Sequence, residues 1–392
     1  MVFLCIIDGI IGSGKSSIMD ILKGAGYKVE QQRVKDWSLL KPFYEDPKKY
    51  AYDLQVQIME SYNNIYNIYK DDYKPEFVFL ESYALASYNS FGKMLEKDNI
   101  LSQSEMHKLM KYINSFNPSL YIFLDVDVDV SMKRIAKRGR PGEENIKPEY
   151  QKHLKEAYMD FMRNLSCPIW KIDNNEDSMQ SKVGENIIKY IGSKAKYAVA
   201  IHGNVASGKS SLGNHISRYG YNFVEEVITD DIIKLLGDKY EERNDAAYEI
   251  EKKFIEMHKQ QMEKYEDKSF TCWEGCLSLL PVFAMEGNIN GYISDDQYLE
   301  LSRLYDEADL PKLEDFSCHI WLRPSTRELI RRKEERKRPG EESLTFGKLE
   351  LFDTLYYAML SNKKPIIIDN SKMSHRECTF AVLKAIRENI FK

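Results

Sequence analysis

The stretch Asp8–Ser17, DGIIGSGKSS, decides the fold, and the stretch His202–Ser211, HGNVASGKSS, repeats it in the second half of the chain. Each follows a short apolar run and fits the pattern Gly-x4-Gly-Lys-Ser, which is typical of a phosphate-binding loop. In such a loop the glycines let the backbone turn tightly, so its N–H groups converge on phosphate oxygens at the N-terminus of the next helix. The sequence therefore predicts two phosphate sites, each between a strand and a helix.

The residue types in these loops suit a nucleoside triphosphate. The lysine can neutralise charge on the β- and γ-phosphates, and the serine after it can bind Mg²⁺. We therefore expect ATP and Mg²⁺ as ligands of each half. The predicted ATP-binding residues are Gly9, Gly12, Ser13, Gly14, Lys15, Ser16 and Ser17, and then Gly203, Ser207, Gly208, Lys209, Ser210 and Ser211.

Two further matches follow the loops in the same order. RIAKRGRPGEE (134–144) is matched by RKEERKRPGEE (332–342), and PIWKIDN (168–174) is matched by PIIIDN (365–370). Gly26 and Gly220, each followed by tyrosine, both lie eleven residues after the loop lysine. These matches indicate an internal duplication, with expected domains of 1–193 and 194–392.

Short apolar runs bounded by polar or turn residues are typical of buried parallel strands. They cover 2–7, 77–80, 120–124 and 169–172 in the first half, and 198–201, 269–273, 319–322 and 365–368 in the second. A further strand is expected after the helix that follows each loop. Because helical segments separate the strands, each half is predicted to be a three-layer α/β unit, a parallel sheet flanked by helices.

Composition narrows the functional classes. The chain has 392 residues, a net charge of −5 and a pI of about 5.9, so a broad basic face for duplex nucleic acid is not expected. No apolar run approaches bilayer-spanning length, and the first residues do not resemble a signal peptide. The six cysteines match no zinc spacing. We therefore expect a cytoplasmic protein with a small-molecule substrate and without a nucleic-acid or membrane partner.

The repeated Arg-x-Arg-Pro-Gly-Glu-Glu motif concentrates positive charge after a strand in each half. Most charge runs are solvated helix faces. The exact recurrence, and the fit of guanidinium groups to a phosphoryl group in transit, favour a lid over the phosphates. The predicted catalytic cations are Arg138, Arg140, Arg336 and Arg338, together with Lys15 and Lys209.

The order of these motifs resembles the deoxynucleoside kinase family over nearly all of each half. Its most specific stretch is LLKPFYEDPKKYAYDLQ (39–55). The resemblance implies that Tyr44 contacts the sugar 3′-hydroxyl and that Gln55, whose amide both donates and accepts, pairs with the base. In the second half Tyr240 is preserved, but Glu251 stands eleven residues later. An ionised carboxylate cannot donate, so base recognition there is expected to be altered or lost.

The resemblance also implies a general base in a Glu-Pro-Val-x-x-Trp motif. Trp37 sets the register in the first half and places Gln32 at the base position, where an amide is a poor proton acceptor. The second half reads Val224-Glu225-Glu226-Val227, and we assign the base to Glu225.

A Glu-Arg-Ser motif in the family supplies a Mg²⁺-linked carboxylate and an arginine near the 5′-oxygen. The two halves read Glu81-Ser82-Tyr83 and Glu274-Gly275-Cys276, so both keep the acid and lose the arginine that would orient the nucleophile. The implied metal ligands are Ser16, Glu81, Ser210 and Glu274, and the implied sugar contacts in the lid are Glu143 and Glu341.

Three functions remain open. The first is ATP- and Mg²⁺-dependent phosphorylation of a (deoxy)nucleoside 5′-hydroxyl; the second is thymidylate-like nucleoside monophosphate kinase activity, with Arg33 beside the pocket; the third is nucleotide binding without catalysis. The survival of every phosphate-binding element in both halves favours a kinase. Because members of the family pair as dimers, the two halves are expected to form a pseudo-dimer within one chain.

Overall fold

The computed structural model of the chain describes residues 2–32, 34–113, 116–140, 143–226, 244–263, 270–275, 280–308, 310–339 and 341–392. Tyr240 and Arg33 therefore lie outside the described residues. The chain divides into two units, Met1–Ile191 with Phe391 and Gly192–Ile390 with Lys392. Among the described residues, no helix combines the length and the apolar character that crossing a membrane requires.

The first unit is built on a five-stranded parallel sheet in the order β2-β3-β1-β4-β5. Its strands are β1 (Phe3–Asp8), β2 (Lys28–Glu30), β3 (Phe77–Glu81), β4 (Leu120–Asp125) and β5 (Ile169–Asp173). The helices in this part of the chain are α1 (Lys15–Gly24), α2 (Leu40–Glu45), α3 (Pro47–Tyr69), α4 (Ala84–Ser87), α5 (Lys93–Lys97), α6 (Gln103–Leu109), α7 (Val128–Arg138), α8 (Pro148–Met162) and α9 (Gln180–Lys196). A π-helical turn (Tyr88–Gly92) joins α4 to α5.

The second unit repeats this arrangement, with the parallel order β7-β8-β6-β9-β10. Its strands are β6 (Val199–His202), β7 (Asn222–Val224), β8 (Thr271–Glu274), β9 (Cys318–Leu322) and β10 (Ile366–Ile368). Its described helices are α10 (Lys209–Ile216), α11 (Asn244–Glu263), α12 (Leu280–Ile289), α13 (Asp295–Glu307), α14 (Thr326–Arg336), α15 (Phe346–Leu360) and α16 (His375–Asn389). The prediction of two α/β units, each with a parallel sheet flanked by helices, is confirmed.

The central strands were visible in the sequence because they are buried on both faces. Every residue of β1, β3, β6, β8 and β9 is buried, which gives the continuous apolar runs of a covered parallel sheet. The edge strands β2 and β7 have three residues each and contain none that is fully buried. They therefore carry no apolar run that would mark their bounds.

The long helix α3 positions the predicted base contact. Asp46 caps it by accepting from Lys49 N at 3.3 Å, and Pro47 occupies its first turn. The buried positions 51, 54, 55, 58, 59 and 62 follow the i, i+3, i+4 spacing of one helix face. Gln55 therefore lies in the apolar stripe that faces the core, and is only 2% exposed.

One ion pair at the end of the sheet is reversed between the copies. In the first unit Asp125, at the end of β4, binds Lys155 of α8 with Oδ1 and Nζ 2.7 Å apart. At the equivalent place in the second unit Arg323 follows β9 and donates to Asp353 of α15, with Nε and Oδ1 2.9 Å apart. Exchanging both signs preserves the attraction, so the contact persists although neither residue does.

Candidate active sites

The two phosphate loops have the same backbone conformation. Gly9 and Gly203 have φ angles of 150° and 152°, and Gly14 and Gly208 have 94° and 97°. A Cβ atom at Gly203 would lie 2.5 Å from Ser207 Oγ and 2.6 Å from the carbonyl oxygen of Leu322. Only glycine fits there without displacing the loop. The predicted loop residues all lie in these turns and in the first turns of α1 and α10.

The loop lysines turn back into their own cradles. Lys15 Nζ donates to the carbonyl oxygens of Gly9, at 2.8 Å, and Ile10, at 3.1 Å. Lys209 Nζ donates to the carbonyl oxygen of Gly203, also at 2.8 Å. Burial lowers the pKa of Lys15, and the charges of Glu81 and Asp8 oppose that shift. The ammonium groups are thus held where a triphosphate would meet them.

The repeated Ile-Asp-Asn sequence supports the loops from behind. Asn174 Nδ2 donates to the carbonyl oxygen of Ser13 at 2.7 Å, and Asn370 Nδ2 donates to that of Ser207 at 2.9 Å. Both asparagines are buried. Their side chains therefore hold the loop carbonyl, which explains why this motif recurs with the loops.

The arginines of the lid motif divide into two groups. Arg332 donates to the carbonyl oxygen of Asn370 at 2.8 Å, and Arg134 makes the same contact with Asn174, also at 2.8 Å. Arg134 and Arg332 therefore link the lid helix to the loop and do not extend over the phosphate cradle. Arg138 lies close enough to Lys15 for its charge to lower the pKa of the lysine.

Three of the other lid arginines are paired with the glutamate of the same motif. Arg138 donates from Nη2 to Glu143 Oε2 at 2.6 Å, and Arg140 donates from Nη1 to Glu143 Oε1 at 3.4 Å. In the second unit Arg336 donates from Nε to Glu341 Oε2 at 3.0 Å. The glutamates are buried, so each fixes the lid by a charge-assisted bond at the side of the cradle.

The predicted acceptor residues of the first unit lie around this lid glutamate and on the buried face of α3. Burial raises the pKa of Tyr44 to about 12, and the nearby charge of Glu143 adds to the shift. Gln55 Oε1 accepts from Ser87 Oγ at 3.3 Å. Gln32 donates its backbone N–H to Glu81 Oε2 at 3.1 Å and its side-chain amide to the hydroxyl of Tyr62.

The acid that precedes the first loop is the centre of a buried hydrogen-bond network. Asp8 is fully buried and accepts from Gly9 N at 2.9 Å. The hydroxyl groups of Ser82, Tyr121 and Tyr158 also donate to it, at 2.8, 2.9 and 2.7 Å. Ser82 occupies the position where the family motif has arginine. Its backbone is left-handed, with φ 62°, and its side chain points inward to Asp8.

Histidines replace part of this network in the second unit. His202 takes the place of Asp8, and His319, which pairs with Ala200 as Tyr121 pairs with Ile6, takes the place of Tyr121. Their Nε2 and Nδ1 atoms are 3.0 Å apart in the buried interior. Burial lowers the pKa of both, that of His319 to about 4. Gly275, with φ 63°, keeps the backbone turn of Ser82 without its hydroxyl.

The second unit contains a cavity of about 1440 Å³ that joins its phosphate loop to its lid and to α11. The residues that line this cavity include Glu225, Glu226, Glu251, Glu274 and Glu286. Ser210 Oγ donates to Glu274 Oε1 at 2.9 Å, whereas Glu274 Oε2 is buried and has no hydrogen-bond partner among the described residues. A hydroxyl and a carboxylate with a spare oxygen are hard ligands that fit Mg²⁺, which takes its remaining ligands from phosphates and water.

The strand register identifies a glutamate that the sequence analysis missed. Val224 pairs with Trp273, just as Glu30 pairs with Leu80, so Glu226 is the counterpart of Gln32. Glu226 lies near Lys209 and Arg338, whose charges partly offset the rise in its pKa that burial causes. Glu225, to which the base was assigned, is exposed at the rim. The shared spacing of six residues from Gly26 to Gln32 and from Gly220 to Glu226 was the available signal.

Two parallel α/β units, each with a glycine-lined cradle, a lysine, a carboxylate and an arginine lid, define a phosphoryl-transfer protein of the P-loop class. The sequence model described as "Deoxynucleoside kinase" matches residues 5–195 and again 199–391. The chain therefore belongs to the deoxynucleoside kinase family and contains two tandem copies of its unit.

Individual relatives each align with less than half of the chain. "Putative kinase protein 029R" of Invertebrate iridescent virus 3 is 39% identical over 160 residues, which are 40% of this chain and 81% of the relative. The deoxyadenosine kinase of Dictyostelium discoideum is 28% identical over 183 residues, 43% of this chain and 71% of the relative. The solved deoxyadenosine kinase of M. mycoides with bound products is 23% identical, covers 48% of this chain and 99% of its own, and has a TM-score of 0.43.

Proposed function

We propose that the chain transfers the γ-phosphoryl group of ATP to the 5′-hydroxyl of a deoxynucleoside in a Mg²⁺-dependent reaction, and that the second unit performs the transfer. The main support is the position of Glu226, a carboxylate in the same cavity as Lys209, Arg338 and Glu274. A general base, a phosphate cradle and a lid arginine therefore converge on one space. These are the groups that in-line phosphoryl transfer requires.

The chemistry follows from what each residue can do. The backbone of the loop and Lys209 bind the triphosphate, and Arg338 neutralises charge on the group in transit. Ser210 and Glu274 would hold Mg²⁺, which when bound offsets charge on the phosphate oxygens. Glu226 accepts the proton of the 5′-hydroxyl while the new O–P bond forms and the bond to ADP breaks. Burial raises the pKa of Glu226 towards neutral pH. A general base works best when its pKa lies near the operating pH.

The first unit should be a much slower catalyst. Gln32 occupies the base position there, and its amide cannot take up the hydroxyl proton. Loss of a general base typically costs on the order of 100- to 10,000-fold in rate. Gln55, Tyr44 and Glu143 nevertheless remain in place, so we expect this unit to retain an acceptor deoxynucleoside.

Turnover of Lys15→Ala and Lys209→Ala variants of the full chain tests the proposal. With ATP and each deoxynucleoside, Lys209→Ala should lose at least about 100-fold in kcat, and Lys15→Ala should keep most of the activity. Adding Gln32→Glu to the Lys209→Ala chain should restore measurable turnover, because it supplies the missing base to an intact first cradle.

Three results would contradict the proposal. Equal losses in the two lysine variants would mean that the units do not differ as argued. ATP binding without turnover of any acceptor would identify a nucleotide-binding protein that has lost catalysis. Faster turnover of dTMP or another monophosphate than of any deoxynucleoside would identify a monophosphate kinase.

A further inference from the structure

Glu251 is a buried acid at the end of the second unit's cavity away from the phosphate loop. It lies on α11 at the position that Gln55 occupies on α3, and is 4% exposed. Its side chain lines the cavity, and no described residue forms a hydrogen bond with it. A carboxyl group that is almost fully buried and lines a cavity can form hydrogen bonds with a ligand in that cavity.

Among the described residues, the charged groups that act on Glu251 include no cation. Glu226, which follows β7, and Glu286 of α12 are the charged groups that act on it. From α13, Tyr298 and Tyr305 line a small second cavity with it. Lys209 and Arg338 act on Glu226 instead. Burial, followed by the two neighbouring carboxylates, raises the pKa of Glu251 to about 8.

The two acids Glu226 and Glu251 have different electrostatic surroundings. Glu226 lies beside Lys209 and Arg338, which stabilise its negative charge, as a proton acceptor requires. Glu251 lies beyond those cations and next to two other acids, so placing a second charge there is unfavourable. The positive charges therefore favour the ionised form of Glu226 over that of Glu251.

We propose that Glu251 recognises the acceptor base as a neutral carboxylic acid, and that the second unit therefore binds bases whose edge places an acceptor beside a donor. This inference rests on the proposed function, in which the cavity takes a deoxynucleoside. A carboxylic acid donates through O–H and accepts through C=O, which reproduces the paired donor and acceptor of the Gln55 amide. Adenine, with N1 as acceptor and its 6-amino group as donor, has such an edge. An ionised carboxylate only accepts, and would require two adjacent donors.

Deoxyadenosine binding to the full chain as a function of pH tests the inference. A background Gln55→Leu substitution weakens binding to the first unit, so calorimetry reports on the second. We expect constant affinity from about pH 6 to about pH 7.5 and a tenfold loss per pH unit above about pH 8, as Glu251 loses its proton. In the Glu251→Gln variant the affinity should match the parent at low pH and stay constant across the range.

A second variant provides an independent readout. Glu286→Gln removes one of the two neighbouring negative charges, so the pH at which deoxyadenosine affinity begins to fall should move downward by about one unit. This shift does not depend on the stability of the Glu251→Gln variant.

The outcomes separate this inference from the proposed function. Deoxyadenosine binding that does not change with pH, or that strengthens as pH rises, would overturn the neutral-acid inference and leave the kinase proposal standing. A loss of tenfold or more in the Glu251→Gln variant at low pH would also overturn it, because an ionised carboxylate would then be required. Absence of deoxynucleoside binding at every pH, with ATP still bound, would overturn both.

Discussion

The buried histidine pair should make the second unit sensitive to acid. His202 and His319 share one contact, between Nε2 and Nδ1 at 3.0 Å, and only one of these two nitrogens can carry a hydrogen. Burial disfavours the charged form of either ring and lowers the pKa of both. In the first unit Asp8 and Tyr121 occupy the same positions. The perturbation is to graft that pair into the second unit with His202→Asp and His319→Tyr.

The magnitude follows from the lowered pKa of His319. Burial lowers it from 6.5 to about 4, and each pKa unit is worth about 1.36 kcal/mol, so full acidification costs about 3 kcal/mol. As the pH falls, the unfolded chain binds this proton before the folded chain does, so acid lowers the free energy of unfolding. This contribution to stability is intact above about pH 6.5 and is lost as the pH falls towards about 4. His202, whose pKa is also lowered, adds to the loss.

Other groups in the second unit also respond to pH. Burial lowers the pKa of His258 to about 4, which produces a similar loss in acid. Glu251 acts in the opposite direction: because its pKa is raised, the second unit gains stability as the pH falls below about 8. Because His258 and Glu251 are common to parent and grafted variant, the difference between the two proteins removes their contributions and leaves those of the exchanged residues.

Hydrogen exchange measured strand by strand is the appropriate assay, because the two units need not unfold together. Between about pH 6.5 and about pH 4.5, after correction for intrinsic exchange rates, protection of β6 should fall about 100-fold further in the parent than in the variant. Strand β1 in the same sample is the internal control and should respond identically in both proteins. Equal loss of β6 protection in parent and variant would refute the reasoning.

Three shorter predictions concern the lid, the loop and the sheet edge. Glu341→Gln should raise the acceptor KM about tenfold by weakening a charged hydrogen bond, whereas Glu342→Gln, an exposed neighbour, should not. Gly203→Ala should abolish ATP binding at the second loop, since its Cβ would lie 2.6 Å from a backbone oxygen, so calorimetry should count one ATP site where the parent chain has two; two sites in the variant would contradict this. Arg323→Asp should lower the free energy of opening of β9, measured by hydrogen exchange, by about 1 kcal/mol, and adding Asp353→Lys should recover most of this loss. Absence of recovery would mean that reversing both charges does not preserve the contact.

Prediction from the sequence succeeded where the physical signal is local. A phosphate loop is ten consecutive residues whose glycines and lysine act together, and its strand and helix follow directly along the chain. The central strands are continuous apolar runs because both of their faces are covered. The assignment to the deoxynucleoside kinase family rested on such segments, and it is confirmed.

The register of strand β7 was not predicted from the sequence. The choice between Glu225 and Glu226 depends on which residue of β7 lies opposite which residue of β8, and a displacement of one residue moves a side chain to the other face. Trp37, which set the register in the first half, has no counterpart in the second. The glycine spacing could have replaced it.

Residues distant in the chain formed the rest of the sites. Asp8 accepts from Tyr158, 150 positions later, and Asn174 holds a loop carbonyl 161 positions earlier. Nothing in the local pattern around Ser82 shows that its hydroxyl points inward to a buried acid in place of a forward-facing arginine.

The sequence by itself determined the duplication, the two phosphate loops and the α/β class, because each depends on neighbours along the chain or on apolar periodicity. Only the tertiary structure decided which carboxylates are buried together, which lid arginines contact the loop from behind, and that His202 and His319 contact each other in the buried interior of the second unit. Those properties depend on burial and on charges brought together from separate elements, and neither quantity exists until the sheet is assembled.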